Sequence, residues 1–231
     1  MSNILKASER QLEVLEKVSN SGDRRSFLKI AGMSIAMLSI VGCSDTITSP
    51  TTTGATLTND DIGILNYAYA LEQLEAAFYT QVVSSFPSAF SADDRAVFTD
   101  IRDHEISHRD FFKAALSTSA IGSLEPNFTS IDFTSRDAVL AAAKTFEDLG
   151  VSAYNGAGKL LTDVKYLAVA GEIVSVEARH AAVIRDLISP KTAAFSDDMI
   201  TPGGLDLARK PSEVLAAAGA YIKTTITSKL P

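Results

Sequence analysis

The sequence predicts an all-α protein. Its centre is a four-helix bundle of two antiparallel hairpins joined by a long crossover, followed by a short C-terminal helix. Three observations lead there. Four stretches of about 25 residues each carry apolar residues at alternating steps of three and four. No stretch shows sustained apolar/polar alternation between turn signals, so no sheet is read. The connections are unequal, one being far longer than the others.

Helix one, residues 60–84, has the seam Ile62, Leu65, Tyr69, Glu72, Ala76, Tyr79, Val83. Helix two, 92–116, has Phe98, Ile101, Glu105, His108, Phe112, Ala115. Helix three, 136–161, has Leu140, Ala143, Glu147, Gly150, Tyr154, Ala157, Leu161. Helix four, 163–188, has Tyr166, Ala170, Ile173, Glu177, His180, Ile184, Leu187. Each seam is apolar except at one glutamate, or a glutamate and a histidine. Capping groups precede every helix: residues 58–61, 91–94, 135–137 and 162–163 supply acceptors and negative charge to free N–H groups. Pro190 follows helix four, where it cannot continue a helix.

A short loop around Pro87 joins helices one and two, and almost nothing joins three and four, so both pairs form antiparallel hairpins. The linker 117–135, about 19 residues, reaches roughly 60 Å when extended. A 25-residue helix is about 38 Å long. The linker can therefore run the length of the bundle; it is expected to start helix three where helix one does and to set helices two and three parallel. Beyond residue 189, a loop over 190–210 precedes a fifth helix from Pro211 to about Thr225.

The first 42 residues read as a separate unit. Arg24-Arg25 with Phe27, Leu28 and Lys29 resembles a twin-arginine export signal. The uncharged run 30–42 is shorter than the roughly 20 residues of a membrane-spanning helix. It ends in Ser39-Ile40-Val41-Gly42-Cys43, which resembles a bacterial lipobox. That resemblance implies cleavage before Cys43, acylation of its thiol and an anchor in the cell envelope, on the periplasmic or other extracytoplasmic side. Residues 43–59, rich in Thr and Ser, then read as a tether.

With 231 residues and 46% hydrophobic content the chain can bury a substantial core. One cysteine excludes an internal disulfide. A net charge of −7 argues against nucleic acid as partner, since phosphate binding needs a basic face. The histidines are His104, His108 and His180, so imidazole chemistry must use these.

Helix two carries Glu105-Ile106-Ser107-His108 and helix four Glu177-Ala178-Arg179-His180. Residues three apart share a helix face, so each pair directs one carboxylate and one imidazole inward together. Helices one and three each add a seam glutamate, Glu72 and Glu147. The halves echo one another: L-E-Q-L-E-A-A-F-Y from Leu71 matches F-E-D-L-G-V-S-A-Y from Phe146. Four ionised carboxylates inside a bundle are prohibitively costly alone, and two divalent cations cancel their charge. Carboxylate oxygen with imidazole nitrogen suits iron or manganese, and zinc less specifically. Glu75 lies close to Glu72 around the helix and reads as a supporting or substitute ligand; Glu172 lies farther round, outside the site. Tyr79 and Tyr154, two turns from their glutamates, are core aromatics on one reading, and hydrogen-bond partners or radical traps on the other.

One Glu from each of two helices, with E-x-x-H from each of the other two, is a dimetal-carboxylate arrangement. Here the chain resembles the ferritin-like superfamily, the group of ferritins, rubrerythrins and manganese catalases, over about residues 60–189. The resemblance implies that Glu72, Glu105, His108, Glu147, Glu177 and His180 bind two metal ions. A rival motif, His104-Glu105-Ile106-Ser107-His108, matches the H-E-x-x-H of zinc hydrolases. Helix four has Val176 where His104 stands, so His104 is expected beside the site. The expectation is a lipid-anchored dimetal oxidoreductase, of ferroxidase or peroxide-disproportionating type, acting on Fe(II), O₂ or peroxide. The alternatives are an envelope protein that uses metals only to hold its bundle together, and the zinc hydrolase.

Overall fold

The structure, a computed structural model, describes residues 54–231. Arg24, Arg25, Cys43 and most of the expected tether lie outside the described residues. The bundle helices are α1 (Asp61–Ser84), α2 (Ala92–Leu116), α3 (Arg136–Gly158) and α4 (Val164–Ile188). Each starts at a side-chain cap. Asp60 accepts from the Gly63 N–H at 2.8 Å, and Ser91 and Asp94 form a reciprocal capping box. Ser135 and Asp163 cap α3 and α4.

Polar locks at the two ends of the bundle define the direction of each helix. Arg136, opening α3, donates to both carboxylate oxygens of Asp94 in the first turn of α2, at 2.8 and 3.0 Å. It also reaches the Leu187 carbonyl at the end of α4. At the other end, Asp61 in the first turn of α1 accepts from Thr162 and Asp163 between α3 and α4. Helices α2 and α3 are thus parallel. The expectation that helix three starts where helix one does is corrected, because an antiparallel first hairpin puts the start of α1 at the opposite end from the start of α2.

The crossover is tied to the core by rings. Phe128 and Phe133 pack against Phe78 of α1 at 5.9 Å between centroids, and Phe78 meets Phe146 of α3 edge-on at 4.9 Å. The C-terminal segment closes over this layer. Helix α5 (Pro211–Ala218) is shorter than expected, passing through a 3₁₀ turn (Gly219–Tyr221) into extended chain. Tyr221 stacks edge-on against Phe146, and the Lys223 N–H donates to the crossover carbonyl of Glu125. Loop 190–210 is held by Arg185, which is buried, pairs in two places with Asp148, and also bonds Asp198 and the Ala194 carbonyl.

The reading of no sheet is also corrected. Strand β1 (Ala55–Leu57) pairs in parallel with β2 (Ile226–Ser228), Ala55 facing Ile226 and Leu57 facing Ser228. Ala55 and Leu57 are buried and Thr56 is exposed. Residues 55–57, assigned to the tether from sequence, are therefore part of the folded domain.

Candidate metal centre

The seams of four helices meet in mid-bundle. Glu72 of α1, Glu105 of α2, Glu147 of α3 and Glu177 of α4 are each fully buried, and His180 nearly so. The side chain of His108 keeps 12% exposure. Two groups of potential ligands form. One is Glu72, Glu105, His108 and Glu177; the other is Glu105, Glu147, Glu177 and His180. Glu105 and Glu177 belong to both. The groups are related by the repeat seen in sequence: each has its own terminal glutamate and histidine, and the halves share the two E-x-x-H carboxylates.

Distances fit atoms gathered around a cation. His108 Nδ1 lies 2.9 Å from Glu177 Oε1, 3.5 Å from Glu72 Oε2 and 3.6 Å from Glu105 Oε2. His180 Nδ1 lies 2.8 Å from Glu105 Oε1, 3.5 Å from Glu147 Oε2 and 4.0 Å from Glu177 Oε2. Yet these nitrogens and oxygens make no properly directed hydrogen bonds and are sealed from water. An orphaned buried polar atom is costly, and so many in one place are not left without a partner in a stable core. Atoms held about 2.1 Å from one octahedral cation sit about 3 Å apart, the separation of the closest pairs. The donor set of carboxylate oxygen and imidazole nitrogen suits first-row divalent metals. The residues therefore fit a metal centre.

Electrostatics show what compensates the carboxylates without metal. Burial pushes Glu72 up to about 7, against the pull of His108. Burial and then neighbouring carboxylates hold Glu75 and Glu177 well above the usual range. Burial also raises Glu147, with His180 opposing. Burial would raise Glu105 too, but the close approach of the His108 and His180 imidazoles outweighs it, so Glu105 falls below the ordinary value. Both imidazoles lie well above theirs; burial disfavours their charge, but facing carboxylates, led by Glu72 for His108 and Glu147 for His180, more than offset it. Burial and mutual repulsion thus favour protons on these groups, and bound cations would compete with those protons.

The surrounding shell crosses between the halves. Tyr79 of α1 donates to Glu147 Oε1 on α3, and Tyr154 of α3 donates to Glu72 Oε1 on α1. The sequence reading placed each tyrosine near its own helix's glutamate; the structure pairs it with the other's. Each bond fixes one carboxylate oxygen and leaves Oε2 facing the histidine. Glu75, also buried with an unpartnered Oε2, occupies space left by Gly150, its counterpart in the repeat. A Cβ on Gly150 would lie 2.9 Å from Glu75 Oε1. The repeat aligned these two positions, so the sequence carried this signal unread.

His104 belongs to neither ligand group. Its Nδ1 lies 2.9 Å from His180 Nε2, and the two rings are nearly parallel. A cation held at His180 Nδ1 would leave the ring proton on Nε2, which is the atom that meets His104 Nδ1. This is the outer contact that sets the tautomer and orientation of a ligating histidine. The H-E-x-x-H pair is not assembled: His108 faces the centre, while His104 faces the outer edge of His180.

Residues 60–190, more than half of the chain, match the ferritin-like domain family. The chain belongs to that family. No curated protein matches it.

Proposed function

We propose that this is an exported ferritin-like protein, lipid-anchored at Cys43, whose two ligand groups bind a pair of iron or manganese ions for redox chemistry on Fe(II), O₂ or peroxide. The observation that carries the reading is the sharing of Glu105 and Glu177 between two otherwise separate groups. Glu105 and Glu177 would each serve both positions, so cations bound there would be close neighbours. A redox-active pair bound there would supply two single-electron steps, the number of electrons that peroxide takes up.

The chain's own residues have defined tasks. Glu72 and His108 close one position, Glu147 and His180 the other. Tyr154 and Tyr79 restrain the terminal carboxylates, and His104 restrains His180. Export and anchoring are supported by Arg24-Arg25 and by the lipobox-like run ending at Cys43. No described helix is long and apolar enough to cross a membrane. Labelled fatty acid entering the wild type but not Cys43→Ala is the expected result; label retained by the variant refutes the anchor.

The test of activity loads the protein separately with iron and manganese, then follows peroxide loss and Fe(II) oxidation. Activity above that of Glu72→Ala, with two metals per chain by elemental analysis, supports the reading. Full occupancy without either activity favours a second reading, metals that only hold the bundle together. The complete burial of all four glutamates is the observation in its favour.

A further inference from the structure

Helix α4 carries two seams, and only one packs within the described residues. The inner seam, through Ile173, Glu177, His180 and Ile184, is buried in the bundle. On the opposite side Val164, Ala168, Gly171, Ser175 and Ala178 follow at steps of four and three and are all exposed. Ala182 continues the row half-buried. Val164 is 75% exposed, and Leu167, beside the row, 45%. Steps of three and four are the spacing of a coiled-coil seam, which is built to meet another helix.

Two observations say what would cover it. The first is Gly171. Glycine inside an α-helix is unfavourable next to alanine, so it calls for a close neighbour. At Gly63 a Cβ would lie 1.7 Å from the Thr58 carbonyl oxygen, and at Gly156 1.7 Å from that of Arg209. At Gly171 it would meet nothing within 4 Å. With Ala168, Ser175 and Ala178 around it, Gly171 leaves room for a second helix at short range. The second observation is charge. Lys165, Glu172, Arg179 and Asp186 flank the row at seven-residue steps, all exposed and alternating in sign. Neighbours in this stripe are about 10.5 Å apart along the axis. Arg179 donates to Ser175 of its own helix at 3.0 Å. Against an antiparallel copy of α4 the stripe faces itself: Glu172 meets Arg179 of the second copy, and Lys165 meets Asp186. A slide of one heptad sets like charges together. Against a parallel copy the stripe faces Leu167, Val174 and Ala181, and the charges find no opposites.

We propose that this face of α4 binds a second copy of the chain, antiparallel, about a two-fold axis that passes between Ser175 and Ala178. The interface is isologous, so the contact of Glu172 with Arg179 is made twice. A helix face about 33 Å by 10 Å gives roughly 330 Å² per copy, against about 800 Å² in a standard interface. The dimer is therefore reversible and concentration-dependent. The inference goes beyond the redox reading and does not depend on it.

The experiment is sedimentation of the full chain over a concentration series, with Cys43→Ala throughout so that no acyl chain can associate. Glu172→Arg and Arg179→Glu each set like charges opposite one another twice. Each is expected to raise the dissociation constant about thirtyfold, as two surface pairs turn from attraction to repulsion. The double variant Glu172→Arg/Arg179→Glu should dimerise like the parent. An equimolar mixture of the two single variants should form a heterodimer tighter than either homodimer, which a parallel pair or a different partner surface would not produce. Gly171→Leu should abolish dimerisation while melting no lower than the parent, since leucine is the better helix former. That variant keeps the test open if a charge reversal fails to fold. A chain that stays monomeric up to about 1 mM overturns the proposal. So does a dimer indifferent to the single reversals, or one that neither the double variant nor the mixture restores.

Discussion

Single atoms decide much at this centre. His104 is not a ligand, but its contact to His180 Nε2 holds the imidazole whose Nδ1 faces Glu105. Outer partners of this kind are worth about 10–100-fold in metal affinity. His104→Ala is expected to weaken binding at the Glu147–His180 position by that factor and to leave the Glu72–His108 position nearly unchanged. Stepwise Mn(II) titration by calorimetry reads the two positions separately, and an equal loss at both would refute a local role. Gly150 is the second case. Alanine in place of a helix-interior glycine normally stabilises by about 1 kcal/mol. Here the new methyl meets the confined Glu75 carboxylate, so Gly150→Ala is expected to destabilise by about 1–3 kcal/mol. In a Glu75→Ala background the same change should turn neutral or stabilising. A double-mutant cycle by urea unfolding checks this, and additivity would disprove the fit of Glu75 to Gly150.

At the scale of elements, what was legible depended on length and locality. Helices α1 to α4 were readable because each seam repeats over several turns and ends in a cap that the local sequence supplies. The six inward-facing residues were readable for the same reason, since E-x-x-H and the lone glutamates fell on those seams. The cross-pairing of Tyr79 with Glu147 and Tyr154 with Glu72 was not, because it depends on how the hairpins pack. Strands β1 and β2 were invisible: each has three residues, too few to show a period, and their partners stand at opposite ends of the domain sequence. Leu57 tests that element. It is fully buried in the main core, and large-to-small changes at such sites cost about 2–5 kcal/mol. Leu57→Ala is expected to lower unfolding free energy by about 3 kcal/mol in urea. A change under about 0.5 kcal/mol would return residues 55–57 to the tether.

The whole molecule responds to pH through the centre. A group that holds its proton more tightly in the folded chain stabilises that chain below its unfolded pKa. The benefit disappears as pH rises through the folded value. Glu72 moves from 4.5 to about 7, and Glu75, Glu147, Glu177, His108 and His180 shift upward too. Glu105 shifts downward, but it is ionised in both states above pH 5 and adds no slope there. Metal-free protein is therefore expected to melt at progressively lower temperature from pH 5 to 8. Saturating Mn(II) should reverse the trend, because cations compete with those protons and bind more tightly as pH rises. Calorimetric scans with and without metal check it; a metal-free melting temperature that rises over this range would contradict the protonated core.

The β1–β2 pair also has a mechanical consequence. The chain that precedes Gly54 enters the domain through β1, which is stitched to the C-terminal segment by Ala55 N–H to Thr225 O and Lys229 N–H to Leu57 O, each 2.9 Å. Tension drawn along that strand loads these bonds together in shear, where an end-on peel would break them one after another. Force arriving from residues before Gly54 is therefore shared between the C-terminal segment and α1, which follows β1 directly in the chain. The pairing thereby takes a share of the load that would otherwise fall wholly on the helix that carries Glu72.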